Sequence, residues 1–408
     1  MEMKKSYDVI VIGGGPAGGQ TARNLAKRGH QVLLVEKYAS FADNNFSSAG
    51  MTLEPMEEFD LPKEIVGAYW NDLEIQCTKN SYVWRSTEPK GVVLNFQKLR
   101  EFLAQETQKF GGDVLMGYRY VKKEVTSEGI EVQLAHSRTK ETLSFDAKLV
   151  VDATGPLRKV MFDEKEEQPE MTLGSGTEYE IQVEQEIYDE YKDKLLFFLG
   201  HKWAIKGYSW IFPMENRILK VGAGKTHIKS KDQENTDKTT RKITEKIIEE
   251  YLGTKDYKII DMHGGIIRYS PGLNDVFYKN RVLGVGDAIS AINPRGGEGI
   301  RYAMQSADLA CEYIDEFITK GGADFSDYQK VWKKRKGFKW RLSELSARRM
   351  YSRYSDEQVE NRIQFFHNRF STDDIIASLF NFKYNKVFFR FFQMLALKTA
   401  FALRGKKF

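Results

Sequence analysis

The stretch "YDVIVIGGGPAGGQTARNLAKRGHQVLLVEK", residues 7–37, sets the expected fold. Residues 9–12 form an apolar run of the kind found in strands that are buried on both faces of a parallel sheet. A glycine cluster follows, and residues 17–28 then carry helical apolar spacing up to a stop at Gly29. A second apolar strand is predicted at 32–35. This order of strand, turn, helix and strand indicates an α/β fold.

The glycine cluster has a spacing with a specific physical use. Gly13, Gly15 and Gly18 match the pattern G-x-G-x-x-G between the strand and the helix. The first glycine allows a tight turn, the second lets a pyrophosphate approach the backbone, and the third lets helix and strand pack closely. Glu36 ends the next strand and can accept hydrogen bonds from ribose hydroxyls. The stretch therefore predicts a Rossmann-like dinucleotide-binding unit, rather than an ordinary turn.

Composition narrows the class of protein further. A chain of 408 residues is long enough for two or three substructures with their own cores. Its two cysteines, Cys77 and Cys311, predict neither a disulfide framework nor a metal site, and favour a reduced, cytoplasmic compartment. The N-terminus lacks the order of a signal peptide, and no apolar run reaches the length of a membrane span. We expect a protein that is soluble or lies on a surface.

The net charge of +5 is concentrated at one end of the chain. Residues 381–408 contain no acidic residue, and without them the rest of the chain is slightly acidic, which argues against a nucleic-acid-binding body. The tail also carries many aromatic residues, as expected of a helix at a membrane interface. Packing on the body or at a dimer interface is the open alternative. The cationic residues of the tail are Lys383, Lys386, Arg390, Lys398, Arg404, Lys406 and Lys407.

A second glycine cluster lies far from the first. The stretch "RVLGVGDAISAINPRGGEGIRYAM", residues 281–304, resembles the second flavin-binding motif of FAD-dependent oxidoreductases of the glutathione-reductase and hydroxylase type. The resemblance implies that Asp287 binds the ribityl chain and that residues 294–300 face the isoalloxazine ring. Glycine amides at a helix N-terminus suit partial negative charge on a reduced flavin. The stretch "LVVDATGP", ending at Pro156, matches the strand-end motif between these two in that superfamily.

A third pattern lies in the strand-rich middle of the chain. The stretch "GYSWIFPMENRILKVGAG", residues 207–224, resembles the Y-x-W-x-F-P, eight residues, G-x-G signature of the geranylgeranyl reductase family, within the para-hydroxybenzoate-hydroxylase-like flavoproteins. At strand period Tyr208, Trp210 and Phe212 share one face and form an aromatic wall. Such a wall can line an apolar tunnel for a substrate. An aromatic core strand is the alternative interpretation of the same spacing.

The resemblance implies a chemistry. Members of the family reduce isolated double bonds in the prenyl chains of lipids, with a hydride from reduced flavin and a proton. It implies FAD as cofactor, NAD(P)H or ferredoxin as external reductant, and a prenyl lipid as substrate. The two cysteines and the charge distribution predict no metal and no nucleic-acid partner. Tyr208 and His263 are candidates for the proton source by position alone, and the catalytic residue stays unassigned.

The resemblance also implies two sets of site residues. The chain departs from the family where a cysteine is expected, because "NNFSSAGM" offers Ser47 or Ser48 there, and "NFQKLR" leaves Arg100 as the basic contact for the cofactor. The candidates for the substrate wall are Tyr208, Trp210, Phe212, Ser48 and Gly50. The candidates for cofactor binding are Gly13, Gly15, Ala17, Gly18, Glu36, Lys37, Arg100, Val121, Asp152, Gly155, Gly286, Asp287, Pro294, Gly296, Gly297, Gly299 and Ile300.

Two other functions remain open at this point. The first is a flavin-dependent monooxygenase or halogenase on the same scaffold. Halogenases need a lysine in a defined helix context, whereas Lys79 lies in no convincing helix, and the hydroxylases' D-G element is replaced by "DATGP". The second is a non-catalytic flavin-binding protein associated with a membrane.

The order of the motifs predicts the architecture. We expect an α/β protein (α+β overall) in which a Rossmann-like FAD-binding domain is assembled from residues 1–45, 95–160 and 265–322. A β-rich substrate domain takes residues 46–94 and 161–264. A helical, basic C-terminal region, a candidate for membrane association, takes residues 323–408.

Overall fold

The computed structural model describes residues 4–163, 167–204, 206–227, 239–322 and 324–384. Its strands are β1 (Ser6–Ile12), β2 (Val32–Glu36), β3 (Gly50–Thr52), β4 (Val66–Trp70), β5 (Asp72–Gln76), β6 (Ser81–Trp84), β7 (Gly91–Leu94), β8 (Asp113–Met116), β9 (Tyr118–Val125), β10 (Ile130–His136), β11 (Thr142–Asp152), β12 (Thr172–Gln182), β13 (Lys194–Phe198), β14 (Gly207–Met214), β15 (Ile218–Thr226), β16 (Lys258–Tyr269), β17 (Tyr278–Lys279) and β18 (Val282–Gly284). Its helices are α1 (Pro16–Lys27), α2 (Glu54–Glu58), α3 (Phe96–Lys109), α4 (Gln185–Tyr191), α5 (Thr240–Lys246), α6 (Ile300–Lys320), α7 (Phe325–Ser352), α8 (Asp356–His367) and α9 (Thr372–Leu379).

These elements form two compact units. Unit 1 comprises Met1–Ala49, Asn95–Leu173 and Ile267–Glu344, and unit 2 comprises Gly50–Leu94, Gly174–Ile266 and Leu345–Phe408. The predicted α/β class is confirmed by the mixture of a largely parallel sheet with helices in unit 1 and largely antiparallel sheets in unit 2. The division between the units falls inside α7, so a separate C-terminal region from residue 323 onward stays a prediction.

Unit 1 is built on a parallel sheet in the order β18-β11-β1-β2-β8. Ile10, Leu33 and Val150 on its central strands are fully buried, as their continuous apolar sequence predicts. Helix α1 contacts both α3 and α6. The first predicted helix and the two predicted strands around it are therefore present, within one to three residues at each end. Since the glycine loop joins β1 to α1, it lies at the carboxyl end of a central strand, where open α/β sheets bind ligands.

Unit 2 is built on a seven-stranded sheet in the order β16-β12-β15-β14-β13-β5-β6. A hydrophobic core on one face includes Trp210 and Phe212 of β14 together with Ile363 of α8 and Ile376 of α9. Another core contains the side chains that alternate with these, including Ile211 of β14. The sheet therefore has apolar packing on both of its faces.

A row of three residues crosses the middle of this sheet. Trp210 of β14 is paired with Gly222 of β15, which is paired in turn with Glu178 of β12. The indole of Trp210 lies across Gly222, because a Cβ atom there would be only 2.3 Å from Cζ2 of the ring. Its Nε1 donates a hydrogen bond of 2.6 Å to Oε2 of the fully buried Glu178. A side chain at position 222 would break this contact.

The tail that the sequence associates with a membrane lies almost entirely at residues 385–408, which are outside the described residues. Within the part of the chain that the structure describes, no helix combines the length and the apolar character that a membrane span requires.

Replacing Gly222 with Ala should destabilise unit 2, because the new methyl group would overlap the Trp210 ring. We expect the free energy of unfolding to fall by about 1–3 kcal/mol, as at other overpacked core sites. Chemical denaturation followed by circular dichroism measures this change. Gly224→Ala is the matched control on the same strand, since its Cβ would lie 3.6 Å from the nearest Trp210 atom. Equal losses in the two variants would contradict the steric explanation.

Candidate functional site

The three glycines of the G-x-G-x-x-G pattern at the loop between β1 and α1 have different roles: two of them permit close packing and one leaves space for a ligand. Gly13 has φ of +113°, and a Cβ there would lie 2.3 Å from the carbonyl oxygen of Ala153. A Cβ at Gly18 would lie 1.9 Å from the carbonyl oxygen of Gly13. A Cβ at Gly15, in contrast, would meet nothing within 4 Å. Gly13 and Gly18 are therefore required by close backbone packing, whereas the space beside Gly15 is available to a ligand.

The start of α1 is suited to an anion. Gly15 is the N-cap residue, no side chain caps the helix, Pro16 follows at the first position, and the first turn carries no acidic residue. The first amides of a helix have no intrahelical acceptor, and the helix dipole places partial positive charge there. A pyrophosphate would meet these amides without competition from a capping side chain. Ala17 is buried just inside this first turn.

Glu36 holds the same loop in place. Its buried carboxylate accepts hydrogen bonds from the backbone amide of Gly14 at 2.9 Å and from that of Tyr38 at 3.1 Å. A carboxylate has further lone pairs, so the expected contact with ribose hydroxyls is compatible with this geometry and stays a prediction. The neighbouring Lys37 is exposed, with its Nζ 4.7 Å from the centre of the Tyr38 ring.

The structure gives Arg100 an internal role. Its terminal nitrogens donate to the backbone carbonyls of Asn44 at 2.9 Å and Phe41 at 2.8 Å, and its guanidinium lies over the Phe41 ring. Burial lowers the pKa of Arg100, while the charge of Glu36 opposes that change. Its Nε has no hydrogen-bond partner among the described residues. Arg100 therefore orders the segment after β2. Its cofactor contact stays a prediction, as does that of Val121, which is exposed on β9.

Asp152 at the end of β11 also acts on the backbone. Oδ1 accepts from the amide and the hydroxyl of Thr154, and Oδ2 accepts from the amides of Val160 and Met161. The carboxylate thereby fixes the turn that begins at Gly155, where φ is +69°. This turn includes Ala153, whose carbonyl lies against Gly13. Asp152 supports the first glycine loop from the neighbouring strand.

Asp287 differs from Asp152 because its carboxylate has no hydrogen-bond partner among the described residues. It lies in the short helical turn Gly286–Ile289, directly after β18. Burial raises the pKa of Asp287 to about 6, although the Arg158 guanidinium acts in the opposite direction. A desolvated carboxylate without a hydrogen-bond partner is stabilised when a hydroxyl group donates a hydrogen bond to it. The ribityl hydroxyls of FAD are donors of this type, so the residues present fit the cofactor.

The backbone around Asp287 also brings the two glycine clusters together. A Cβ at Gly286, where φ is +63°, would lie 2.8 Å from Cβ of Ala17 in α1. A Cβ at Gly299 would lie 3.7 Å from Oδ1 of Asp287. The N-terminus of α6 is therefore adjacent to the Asp287 carboxylate. The first glycine cluster, at residues 13–18, packs against the same segment although it is far away in sequence.

The segment before α6 is a compact turn. The amide of Gly297 donates to the carbonyl of Asn293 at 2.9 Å, and Gly297 itself has φ of +62°. Pro294 is buried, whereas Gly296 is exposed and leaves space around its Cα, with no atom closer than 3.8 Å to an added Cβ. Helix α6 then begins at Ile300 without a side-chain cap and without an acidic residue in its first turn. This end of α6 can present amides to a partly negative ring atom.

A buried ionic network behind Asp287 was missed by sequence reasoning. Arg158 donates through two nitrogens to both oxygens of Asp275 at 2.5 Å, and Ser290 donates to Asp275 as well. A second contact from Arg158 reaches the carbonyl of Asp287 at 3.4 Å. The charged side chains of Arg158 and Asp275 are both fully buried. The network fixes the backbone that carries Asp287, and no sequence motif marks Asp275 or its pairing.

The predicted aromatic wall lies on β14 of unit 2. Tyr208, Trp210 and Phe212 share one face, but they differ in exposure. Trp210 and Phe212 are buried in the hydrophobic core, as the alternative interpretation of a core strand predicts. Tyr208 is half-buried, and its ring centre lies 5.8 Å from that of Phe197. Of the three, Tyr208 is the side chain that a substrate could reach most readily.

The other two wall candidates lie in separate units. Gly50 begins β3 in unit 2, and a Cβ there would lie 3.0 Å from Cε2 of Phe212. Ser48 belongs to unit 1 and is half-buried in an irregular segment, as is Ser47. The structure therefore brings Gly50 to the aromatic wall. The expected role of Ser48 stays a prediction.

His263 of β16 lies between two carboxylates. Its Nδ1 is 3.0 Å from Oδ2 of Asp261, and its Nε2 is 3.4 Å from Oε1 of Glu178. Burial lowers the pKa of His263, but the hydrogen bonds and charges of Glu178 and Asp261 outweigh burial and raise the pKa above its usual value. Sequence reasoning named His263 without its partners, because nothing in the sequence shows that Glu178 is buried.

No group of three or more His, Cys, Asp or Glu residues in the described ranges could hold a metal ion. The two cysteines, Cys77 and Cys311, are both free and buried. Burial raises the pKa of the Cys77 thiol to about 12, so it is a poor nucleophile near neutral pH.

Two alanine variants should separate ligand access from packing in the first glycine loop. Gly15→Ala should weaken FAD binding by tenfold or more, because a methyl group would occupy the space left for the pyrophosphate, while the unfolding temperature of the apoprotein should barely change. Gly18→Ala should lower that temperature, because its methyl group would overlap the Gly13 carbonyl. Fluorescence titration with FAD and calorimetry measure the two effects. A stable Gly18→Ala protein would contradict the packing argument.

Asp287→Asn should have opposite effects on stability and on binding. Since burial raises the pKa of Asp287, the folded apoprotein binds a proton more tightly than the unfolded chain, and its stability should fall as pH rises from about 4 to about 6. The neutral Asn should remove that dependence and make the apoprotein more stable at pH 7, while FAD affinity falls. Thermal unfolding across this pH range, with and without FAD, measures both. An unchanged pH dependence in the variant would contradict the assignment.

The comparisons with known proteins agree with this geometry. The digeranylgeranylglycerophospholipid reductase of Haloferax volcanii is 27% identical over 382 residues, which cover 90% of this chain and 90% of that protein. The solved structure of a geranylgeranyl bacteriochlorophyll reductase-like protein from Thermoplasma acidophilum has a TM-score of 0.78 and 22% identity, covering 91% of this chain and 94% of that chain. The predicted resemblance to the geranylgeranyl reductase family is thereby confirmed.

A halogenase shares the fold more distantly. The myxobacterial chondrochloren halogenase has a TM-score of 0.65 and 18% identity, covering 92% of this chain and 91% of that chain. At this identity the likeness shows the fold alone. The sequence model of the FAD binding domain matches residues 6–344, and the chain therefore belongs to the FAD binding domain family.

Proposed function

We propose that this protein is an FAD-dependent reductase that saturates isolated C=C bonds in the prenyl chains of a lipid. The observation that carries the proposal is the way the Y-x-W-x-F-P…G-x-G stretch folds. Tyr208 of β14 is paired with Gly224 of β15, which is paired with Gly176 of β12. An aromatic side chain thus lies beside two positions, on neighbouring strands, that present backbone only. We call Gly224 and Gly176 the glycine floor.

The glycine floor suits an apolar, methyl-branched chain. A Cβ at Gly224 would lie 3.6 Å from Cζ3 of Trp210, and one at Gly176 would lie 3.9 Å from Cη2 of the same ring. Carbon atoms resting on the floor would therefore meet the edge of the indole at ordinary contact distances. Both glycines and Tyr208 are half-buried, whereas Trp210 is buried. A prenyl chain has no hydrogen-bonding groups, so contacts of this kind are the ones that can hold it.

The reaction divides between cofactor and protein. FAD in its reduced form, when bound, supplies a hydride to one alkene carbon. The protein must bind the cofactor, hold the alkene in register and supply a proton to the other carbon, because an unactivated alkene reacts only when it is closely positioned. Gly15, Asp287 and the N-termini of α1 and α6 are the groups that would hold FAD. The external reductant is a reduced nicotinamide nucleotide or a ferredoxin.

The location of the substrate extends the proposal to a membrane surface. The relative from Haloferax volcanii is named for a glycerophospholipid, and a lipid of this class resides in a bilayer. We infer a cytoplasmic protein that meets the membrane peripherally, with its basic aromatic tail as the contact. The seven cations of that tail would favour anionic headgroups.

The rival flavin-dependent chemistries are less well supported by the residues present. Lys79, the lysine nearest to a halogenase pattern, lies in the turn between β5 and β6, and its amide donates to Glu360 at 3.3 Å. It therefore lacks the helical setting that a halogenase requires. A non-catalytic flavin-binding protein is the other rival, and it differs from the proposal in a measurable way, since its flavin would not be reoxidised by a lipid.

Anaerobic reoxidation of the flavin should depend on an unsaturated lipid. We expect dithionite-reduced holoenzyme to become reoxidised when it is mixed with digeranylgeranylglycerophospholipid in detergent micelles, because the alkene accepts the hydride. Stopped-flow absorbance of the flavin measures the rate. The same lipid with fully saturated chains is the control and should leave the flavin reduced. Reoxidation that requires oxygen would favour a monooxygenase or halogenase, and no reoxidation by either lipid would favour a non-catalytic role.

A further inference from the structure

Three polar side chains in unit 2 lead from solvent to the buried face of the sheet. The side chain of Asp261 is 49% exposed, that of His263 is 13% exposed, and that of Glu178 is fully buried. Each ring nitrogen of His263 faces one of the two carboxylates, at 3.0 Å for Asp261 and 3.4 Å for Glu178. A histidine with a carboxylate on each nitrogen can take up a proton on one side and release it on the other.

The inner end of this series lies beside the glycine floor. Glu178 is two residues from Gly176 on β12, so the two project from the same face of the strand. Its Oε2 accepts the hydrogen bond from Nε1 of Trp210, whose ring edge borders the floor. The carboxyl group of Glu178 is therefore positioned at the border of the surface on which we place the prenyl chain.

A neighbouring pair on the same strand shows what is unusual about Glu178. Glu180 is also buried, but it faces Nζ of Lys220 at 3.4 Å, and that side chain is 1% exposed. Lysine and glutamate side chains at this distance form an ion pair. Glu178 is instead paired with a histidine, which exchanges its proton near neutral pH. Of these two buried carboxylates, only Glu178 is therefore connected to a group that can deliver a proton.

We propose that Asp261, His263 and Glu178 form the path that supplies the proton for alkene reduction, with Glu178 as the group that donates it to the substrate. This inference rests on the proposed reductase function and names the proton source for that reaction. Glu178 is the catalytic residue of the three, and His263 and Asp261 act through it.

The atoms and electrons of the step balance. One alkene carbon receives a hydride, which brings an electron pair and a hydrogen, and the reduced cofactor is thereby oxidised. The protonated His263 passes its proton to the Glu178 carboxylate, and the other carbon forms its C–H bond with that proton. Glu178 is thereby left as the carboxylate it was at the start, and the neutral His263 recovers a proton from solvent on the side of Asp261. The alkene gains two hydrogens, and the protein returns to its starting state.

The electrostatics of the histidine support this direction of transfer. Glu178 from β12 and Asp261 from the histidine's own strand are charged groups that act on His263, and both favour the protonated ring. The pKa of His263 is therefore raised above its usual value, which favours the protonated ring as the donor to Glu178. The rate of the proton-dependent step should fall as pH rises through this pKa, because the ring then has no proton to pass on.

The test uses the FAD-loaded enzyme and separates its two half-reactions. His263→Gln and Glu178→Gln should each slow the reoxidation of reduced flavin by digeranylgeranylglycerophospholipid by about 100-fold or more, the usual contribution of a general acid. Reduction of the flavin by dithionite should be unchanged in both. His227→Gln is the matched control, since Nε2 of His227 lies 2.9 Å from the Ser175 hydroxyl and faces no carboxylate of the proposed path. Its rate should stay within about threefold of the unmodified enzyme.

A pH profile distinguishes a proton path from a structural role. The unmodified enzyme should lose reoxidation rate on the alkaline side, and His263→Gln should lack that limb. If Glu178→Gln fails to fold or to retain FAD, these two profiles still decide the question. Variants with rates near that of the unmodified enzyme, or an alkaline limb that persists in His263→Gln, would overturn the path while leaving the reductase function intact. Failure of the unmodified enzyme to be reoxidised by the lipid would overturn the function and the path together.

Discussion

The contact between Gly18 and the carbonyl of Gly13 is the constraint on which unit 1 depends. With 1.9 Å available to a Cβ, no side chain fits at position 18. Glycine there lets α1 begin directly behind β1, so the free amides of the helix point past Gly15 into open space. The same contact brings Ala17 against Gly286 and so aligns the second glycine cluster with the first. One close approach of backbone to backbone thus positions both halves of the proposed cofactor site.

In unit 2 a glycine also permits a close approach, but the group that packs against it is an aromatic ring and not a helix. Because Gly222 has no side chain, the Trp210 indole crosses β15 and reaches Glu178. The charged groups around Asp287 in unit 1 fall into two classes. Arg158 and Asp275 form a buried ion pair, whereas the Asp287 carboxylate has no hydrogen-bond partner among the described residues and a raised pKa. Groups whose protonation is perturbed in this way are typical of functional sites.

The sequence predicted those features that local spacing determines. The turn at Gly13, the helix after it and the shared face of Tyr208, Trp210 and Phe212 each follow from a motif of fewer than twenty residues. The burial of Trp210 by α8 and α9 could not be predicted, because these helices come some 150 residues later in the chain. The pairing of Arg158 with Asp275 spans 117 residues and has no periodic signal. The burial of Glu178 depends on the absence of a side chain at Gly222, on a different strand.

Analysis of the lipid product by mass spectrometry tests the central claim most directly. The enzyme would be reduced in the absence of oxygen and mixed with digeranylgeranylglycerophospholipid. The molecular mass of the recovered lipid would then be measured. We expect the lipid to gain two hydrogens for each double bond that reacts and to gain no oxygen or halogen. A lipid recovered unchanged, or one that has gained an oxygen or a halogen atom when air is admitted, would contradict the claim.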